Sequence, residues 1–527
     1  MRAAGAGNAG GIAPVSKWLV TASVMIPTMI EVLDTSVANV SLRHMQGSLS
    51  AGEEEVTWVL TSYLVANAVI IPMSGWLARL MGRKNYLMAS IALFTAASLL
   101  CGMAGSLSTL VLFRVLQGIG GGGLQPMSQA ILLETFPPNE RGLAMGVFGM
   151  GVVVAPILGP VLGGWLTDNW SWRWIFYINL PIGLLALFMS WSHVHDPAYQ
   201  QRWKKGERVD YVGLALLAAG FGCLQIVLDL GQQRDWFSSS FILSLTVIAV
   251  ACLVALVVWE WRHENPIVNL RVFKDRSFAL GNLVMFFGFF AFFGSIVLLP
   301  MFLQSLMGYT AFQAGLVLSP GGLITLALMP FVGKFTQRVD ARWFLFLGLL
   351  ANAWSVHYMS GFSLNIDMGT AMVGRNIQGL GMAFFFVPLS FLTMAWIPRQ
   401  EMNNAAAIFN LLRNLGGSFG VAFVTTLLAR RGQFHHARLA EHMGWFNETF
   451  AQGVEGVRQY LESHGIHVQS GVEAMAVLYR MLQRQAAALA FMDVFYMQMV
   501  IFLCLVVAMW IIRRPPRHAE FDPAAAH

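Results

Sequence analysis

Uncharged apolar runs of spanning length recur along the whole chain, and nearly all the charges collect in the short polar segments between them. A run of ~20 apolar residues crosses a bilayer as a helix, and lipid offers the backbone no other hydrogen-bond partner. The pattern predicts an all-α integral membrane protein with fourteen spans. Their approximate limits, good to a few residues, are about 18–39, 56–78, 86–105, 108–134, 143–165, 174–193, 211–230, 240–261, 278–303, 312–334, 343–362, 369–396, 403–428 and 491–512.

Basic residues test that count, because short cytoplasmic loops retain Lys and Arg. One alternate set of loops and ends holds Arg2, Lys17, Arg79, Arg83, Lys84, Arg141, Arg202, Lys204, Lys205, Arg208, Arg262, Arg271, Lys274, Arg276, Lys334, Arg338, Arg342, Arg399, Arg513, Arg514 and Arg517. The short loops of the other set hold only Arg43, Arg173 and Arg234. An even number of spans follows, with both termini expected in the cytoplasm. The long loop at about 430–488 escapes the rule, because long segments translocate regardless of charge.

Composition agrees. Of 527 residues, 56% are hydrophobic and 11% charged, about half the charged fraction of a soluble protein. The net charge of +6 does not indicate nucleic-acid binding, since no basic stripe is interleaved with aromatics. Cys101, Cys223, Cys252 and Cys504 all fall in apolar runs, which argues against a disulfide framework. The first run, Trp18 to Ala38, is too long and too acidic for a cleaved signal peptide.

The chain also repeats itself. Arg114-Val-Leu-Gln117-Gly118-Ile-Gly120 in the fourth span returns as Arg375-Asn-Ile-Gln378-Gly379-Leu-Gly381 in the twelfth. Each is followed by Pro-x-Ser (Pro126, Ser128; Pro388, Ser390) and then by Pro-x-x-Glu (Pro137, Glu140; Pro398, Glu401). Pro72-x-x-Gly75 in the second span returns as Pro330-x-x-Gly333 in the tenth. An even separation preserves orientation, so the halves are parallel repeats about an axis along the membrane normal. The division expected is an N-terminal six-helix bundle over 1–195, two inserted helices over 196–270 and a C-terminal six-helix bundle over 271–527.

On these motifs the chain resembles the EmrB/QacA group of drug:proton antiporters, fourteen-span proteins of the major facilitator fold. The resemblance covers nearly the whole length. It is carried by Leu33-Asp34-Thr35-Ser36-Val37-Ala38-Asn39-Val40, by Trp58 to Tyr63, by Pro72-x-x-Gly75-Trp76-Leu77 and by Trp172-Arg173-Trp174-Ile175-Phe176 with Asn179 and Pro181-x-Gly183. Ala155-Pro156-Ile-Leu-Gly159-Pro160-Val-Leu-Gly163-Gly164 is similar to the family's antiporter motif. The long loop before the last span resembles EmrB-type members, which implies a periplasmic adaptor and an outer-membrane channel as partners. The resemblance further implies an inner-membrane exporter of hydrophobic drug-like compounds coupled to protons, without a cofactor.

Candidate chemistry begins with Glu31 and Asp34. Three positions apart, they share a helical face, and an acid inside a span is costly enough to be a functional hypothesis by default. The resemblance makes Asp34 the coupling carboxylate of the first span and Arg114 part of the proton relay. Arg375 reads as a structural hydrogen-bonding cation, and Arg413 has no firm assignment. Gly75, Arg79, Gly82 and Arg83 resemble the superfamily's cytoplasmic gate, with Arg79 standing where an acid is usual. Pro156, Gly159, Pro160, Gly163 and Gly164 are expected to make a close, pliable seam between the bundles.

Gly118-Ile-Gly120-Gly-Gly-Gly123 spells a dinucleotide motif without its strand-turn-helix context. The phenylalanine runs 286–293 and 384–386 read as lipid-facing or packing residues, with some available to line an apolar pocket, and Gln225, Asp229, Gln304, Asn352 and Asn410 are the polar positions available to face it. His435, His436 and His442 lie on an amphipathic helix over Arg431 to Met443 with no closed metal-ligand spacing. A single-metabolite exporter, for a fatty acid, siderophore or organic acid, is the nearest rival. A non-transporting membrane sensor or scaffold is a remote one, and no nucleophile–base set suggests an enzyme.

Overall fold

The computed structural model describes residues 16–197, 209–336, 338–444, 447–463 and 472–514, and no strand occurs among them. We number the principal helices α1 (Lys17–Ser48), α2 (Trp58–Met81), α3 (Arg83–Met103), α4 (Leu107–Thr135), α5 (Arg141–Asn169), α6 (Trp174–His193), α7 (Tyr211–Leu230) and α8 (Ser240–Arg262). They continue as α9 (Arg276–Ser305), α10 (Ala311–Phe335), α11 (Ala341–Ser360), α12 (Met368–Met394), α13 (Met402–Ala440), α14 (Glu448–Ser463) and α15 (Val472–Met509). Among the described residues, 12 helices are long and apolar enough to cross a membrane. Beyond those, α5 has 29 residues and α11 has 20. In α11, Arg342, Asn352 and His357 dilute the apolar character.

The repeat has a packing reason. Gly118 of α4 lies against the Tyr63 carbonyl of α2, where an added Cβ would sit 2.6 Å from the oxygen. Gly379 of α12 lies in the same way against the Gly321 carbonyl of α10. Two residues on, Gly120 meets the Phe94 backbone of α3 and Gly381 meets Asn352 of α11. In each half a side chain at either glycine would push apart three helices, which is why the same spelling occurs twice. The run Gly120 to Gly123 also interrupts α4 for two residues, as glycine's backbone freedom allows. The dinucleotide spelling is thus a packing feature within a helix.

The N- and C-terminal ends of the bundle lie on one side. There Lys17 at the start of α1 pairs with Glu140, and Arg342 donates to the Ile512 carbonyl at 3.2 Å beyond α15. On this terminus side one apolar core runs through both halves, from Trp76, Phe136 and Phe148 to Met329, Phe386 and Met402. On the opposite side the halves have separate cores. One holds Val37, Met45, Val59, Trp172 and Phe176, and the other holds Leu298, Phe302, Val317, Met359 and Phe491. The halves are therefore packed together at the terminus end and parted toward the other.

Two crossings related by the repeat contribute most to that closed seam: α5 on α10 and α13 on α2. Gly75 of α2 lies against the Asn404 backbone of α13, 3.0 Å from an added Cβ, and Gly333 of α10 lies against the Gly142 carbonyl of α5. Both copies of Pro-x-x-Gly thus end where the halves touch. The expectation for the antiporter motif needs correction here. Gly159 and Gly163 pack on Ser36 and Val37 of α1, inside the N-terminal half, and nothing lies within 4 Å of a Cβ at Gly164. The seam glycines of α5 are Gly142, Gly146 and Gly149. The side chains of Pro156 and Pro160 lie outside the described residues, although α5 runs unbroken through both positions.

Gly333→Val would place a methyl-bearing carbon against backbone that cannot yield, so the terminus ends are expected to part while each half keeps its own core. The check is the rate at which a thiol reagent labels Asn404→Cys at the seam. Faster labelling in the Gly333→Val background is expected, and an unchanged rate would refute the assignment.

The long loop and its flanking spans also need correction. α13 runs 39 residues, to Ala440, and α15 starts at Val472, so both continue well past the predicted span limits. Polar residues sustain the extensions by pairing across them. Arg431 and His435 both reach Asp493, at 2.5 and 2.6 Å, and His436 reaches the Tyr479 hydroxyl at 3.2 Å. The segment at 431–443 is therefore the end of α13 to Ala440 with the turn that follows it, and α14 is the separate amphipathic helix.

Candidate functional site

Asp34 sits on α1 midway through the bundle, 3% exposed. Arg114 of α4 donates from Nη1 to its Oδ2 at 2.5 Å. Gln117, one turn further along α4, donates to Oδ1 at 2.9 Å, and Asn179 of α6 donates to the same oxygen at 2.8 Å. Arg114 is fully buried. Its Nε donates to the Val59 carbonyl at 3.0 Å, its Nη1 is shared with Gln117 Oε1 at 2.9 Å, and its guanidinium lies 4.3 Å from the Tyr63 ring centroid. A buried charge is tolerated when paired and hydrogen-bonded; Nε and Nη1 of Arg114 meet both conditions, and Nη2 has no hydrogen-bond partner among the described residues. The pair is electrically balanced while Asp34 is ionised. A proton on Asp34 leaves Arg114 without its counter-ion.

Glu31 occupies a second, adjoining cluster. Its Oε1 accepts from Tyr63 at 3.0 Å and from Asn67 at 3.2 Å, both on α2. Its Oε2 accepts from Gln125 of α4 at 2.5 Å. The other end of Gln125 accepts from Arg413 of α13, in the C-terminal half. One turn away, Asn410 donates to Gln129 at 2.6 Å, so two side-chain bonds cross between the halves. Tyr63 joins the two clusters, because its hydroxyl serves Glu31 and its ring carries Arg114.

The sequence therefore named both acids and Arg114, but missed what connects them. Gln125, Gln129, Tyr63 and Asn67 had a readable signal: polar residues four apart inside spans share one helical face. Which face that was required the tertiary arrangement. Arg413, unassigned from sequence, is the group that carries the Glu31 cluster into the opposite half.

The twin motif in the C-terminal half repeats part of this geometry. Arg375 donates to Gln378 Oε1 at 2.6 Å, and Gln378 Nε2 donates to Ser295 Oγ on α9. Ser295 thus stands where Asp34 stands in the other half. Of the remaining polar positions, Asn352 caps the Gly348 carbonyl at 2.8 Å, Gln225 bonds Asp229 and Ser418 at 2.9 and 3.1 Å, and Gln304 is exposed. Phe289, Phe292, Phe293, Phe385 and Phe386 form one aromatic group, whereas Phe287 is 40% exposed.

On the terminus side Gly82 takes φ 84° between α2 and α3, which suits glycine. Arg83 forms an ion pair with Glu134 at the end of α4, so the gate motif has a carboxylate partner from another helix. Lys84 donates its backbone N–H to Asp196 at 2.8 Å and its Nζ to the Trp191 carbonyl at 2.6 Å, a structural role beyond its topological one. Gly75, Arg79, Arg83 and Glu134 border a cavity of about 260 Å³ with Arg399, Glu401 and Asn404 from the other half. Gate and seam are one place.

A helical bundle of two repeated halves, with a buried ion pair in one half and polar links into the other, defines a polytopic carrier. The chain belongs to the Major Facilitator Superfamily, whose family model matches residues 24–421. It is 38% identical over 97% of its length, and 98% of the relative's, to the multidrug export protein EmrB of Escherichia coli (strain K12). It is 37% identical to the fatty acid resistance protein FarB of Neisseria gonorrhoeae, covering 95% of this chain and 96% of that one. Among solved structures, the proton:xylose symporter XylE superposes with a TM-score of 0.58 at 14% identity, covering 94% of this chain and 96% of that chain. That likeness speaks for the fold alone.

Proposed function

We propose that the protein is a proton-driven exporter of hydrophobic drug-like compounds in a bacterial inner membrane, with both termini cytoplasmic. The observation that carries this reading is the buried Asp34–Arg114 pair, held in the half-molecule next to links that cross into the other half. The names of the relatives, multidrug export proteins among them, support the substrate class. Counting α5 and α11 as spans gives the fourteen expected, with α7 and α8 inserted between bundles of residues 1–195 and 271–527. The extended α13–α15 arm, with α14, is the surface we assign to a periplasmic adaptor that continues to an outer-membrane channel.

In this mechanism the parted side faces the periplasm. A proton arriving there neutralises Asp34 and removes the counter-ion of Arg114. The guanidinium then shifts against Tyr63, whose hydroxyl holds Glu31, and the change passes through Gln125 to Arg413 in the other half. Loosened cross-links let the halves rock about the seam, and substrate leaves outward before the proton is released inside. Each proton contributes about 2.3 kcal/mol per 100 mV of membrane potential, while a tenfold substrate gradient costs about 1.4 kcal/mol. One proton therefore suffices for useful export of an uncharged compound, whereas one-for-one exchange with a monovalent cation is electroneutral and draws on the pH gradient alone.

The test is proton release from acid-loaded inverted vesicles when a lipophilic cationic drug is added. Drug-evoked release that vanishes when the proton gradient is collapsed is the expected result. Drug transport that continues unchanged without a gradient would sink the reading.

A further inference from the structure

We infer that α7 is a latch between the two halves: the N-terminal half carries it, and two side-chain bonds to α13 hold the parted arrangement. The inference rests on the rocking motion of the export reading and gives the inserted helices a part in it. Within the apolar run 212–230 of α7 stand one amide and one acid, Gln225 and Asp229. Polar groups inside a span are costly unless they have partners. Four positions apart, these two share a helical face.

α7 is fixed first to α2. Gly222 brings it against Val65 and Val69, 3.7 and 4.0 Å from an added Cβ. Thr61 of α2 hydrogen-bonds Asp229, and Trp58 packs on the cluster of Val227, Leu230 and Ile242. Arg234, just beyond α7, pairs with Glu54 at 3.0 Å. The reach to α13 is narrower. Ile71 of α2 shares an apolar cluster with Leu411 and Leu415 of α13 and with Phe221 and Leu224 of α7. Further toward the parted side, Gln225 Nε2 donates to Asp229 at 2.9 Å and to Ser418 Oγ of α13 at 3.1 Å. Trp236 Nε1 donates to Thr426 Oγ1, also on α13, at 3.0 Å.

The second of these bonds depends on strained backbone. Asp235 and Trp236 take φ 53° and 50°, a left-handed region that residues with side chains avoid. That turn folds the indole back over Gly231, where an added Cβ would lie 2.6 Å from the ring. The Trp236 N–H closes on the Gly231 carbonyl at 2.8 Å. Such a conformation persists only where its surroundings fix it, and here it aims Trp236 Nε1 at α13. Bringing the parted ends together moves α13 past α7, so both bonds break before the seam opens. The bonds from α7 to α2 lie within one moving body and survive.

The experiment uses the full chain in nanodiscs, with the four native cysteines replaced by alanine and Asn404→Cys as the seam reporter. Ser418→Ala with Thr426→Val removes both hydroxyl acceptors on α13 and leaves α7 intact. Thr61→Val removes a bond of the same kind inside the N-terminal half and is the control. A thiol reagent should label the reporter about tenfold faster in the α13 double variant, since two side-chain bonds are lost. Thr61→Val should label at the rate of the reporter alone. Unchanged labelling in the double variant, or equal acceleration in Thr61→Val, would overturn the inference and leave α7 as packing. In inverted vesicles, Gln225→Cys joined to Ser418→Cys by a short methanethiosulfonate cross-linker should stop drug-evoked proton release, and reductant should restore it. Release at the unlinked rate from the cross-linked pair would also overturn the latch. Absence of release even from native vesicles would sink the export reading instead, and the labelling rates would still decide the latch.

Discussion

Asp34→Asn is expected to abolish drug-evoked proton release, with some loss of stability because Arg114 loses its counter-ion. The amide is nearly the same shape, and its one oxygen can accept either from Arg114 or from Gln117 and Asn179, leaving its NH2 opposite the remaining donors. It has no proton to exchange. Inverted vesicles carrying the variant should therefore release no more protons on drug addition than empty vesicles. Release at the native rate would move coupling from Asp34 to Glu31. Because Glu31 is held by three neutral donors, from Tyr63, Asn67 and Gln125, Glu31→Gln provides the matching test of that outcome.

Removing the other member of the pair should act on stability first. Arg114→Leu leaves an ionised Asp34 buried with two amides and no cation, and breaking a buried pair in this way costs about 3–5 kcal/mol. The loss also takes away the Val59 carbonyl's donor and the stacking on Tyr63. Little monodisperse protein is expected on size-exclusion chromatography, with a clearly lowered melting temperature. The double variant Asp34→Asn with Arg114→Leu removes the orphaned charge, so folding should recover while proton release stays absent. Native-like melting of Arg114→Leu alone would show that the ion pair does not hold this part of the bundle.

These two results separate what each residue does. In the proposed mechanism Asp34 carries the exchangeable charge, and Arg114 makes its burial tolerable. The links from Gln125 and Gln129 to Arg413 and Asn410 then decide whether a proton on one half is felt by the other. Coupling of this kind needs an element with two arrangements that both sites bias, and the proposed mechanism gives that part to the α2–α13 and α5–α10 crossings.

The spans could be read from sequence because lipid imposes a rule on every stretch of chain: about twenty apolar residues, charges only at the ends. Where polar residues inside helices have partners elsewhere, that rule fails. α13 and α15 ran past their predicted limits because Arg431, His435 and Asp493 satisfy one another, and no local pattern reports such a pairing. Likewise the fifth-span glycines were legible as close-packing residues, but not their partner helix. Gly159 and Gly163 meet α1, while Gly142, Gly146 and Gly149 meet the other half.

The sequence by itself determined the membrane class, the parallel repeat, and the two acids and Arg114 worth testing, because hydrophobic length, motif recurrence and the cost of an intramembrane charge are properties of a single segment. Only the tertiary structure decided which cation neutralises which acid, that Glu31 reaches Arg413 through Gln125, that Arg375 bonds Gln378 as Arg114 bonds Gln117, and on which side the halves close. Each of these depends on distances between helices far apart in the chain, and those are set by the packing of the whole bundle rather than by any run within it.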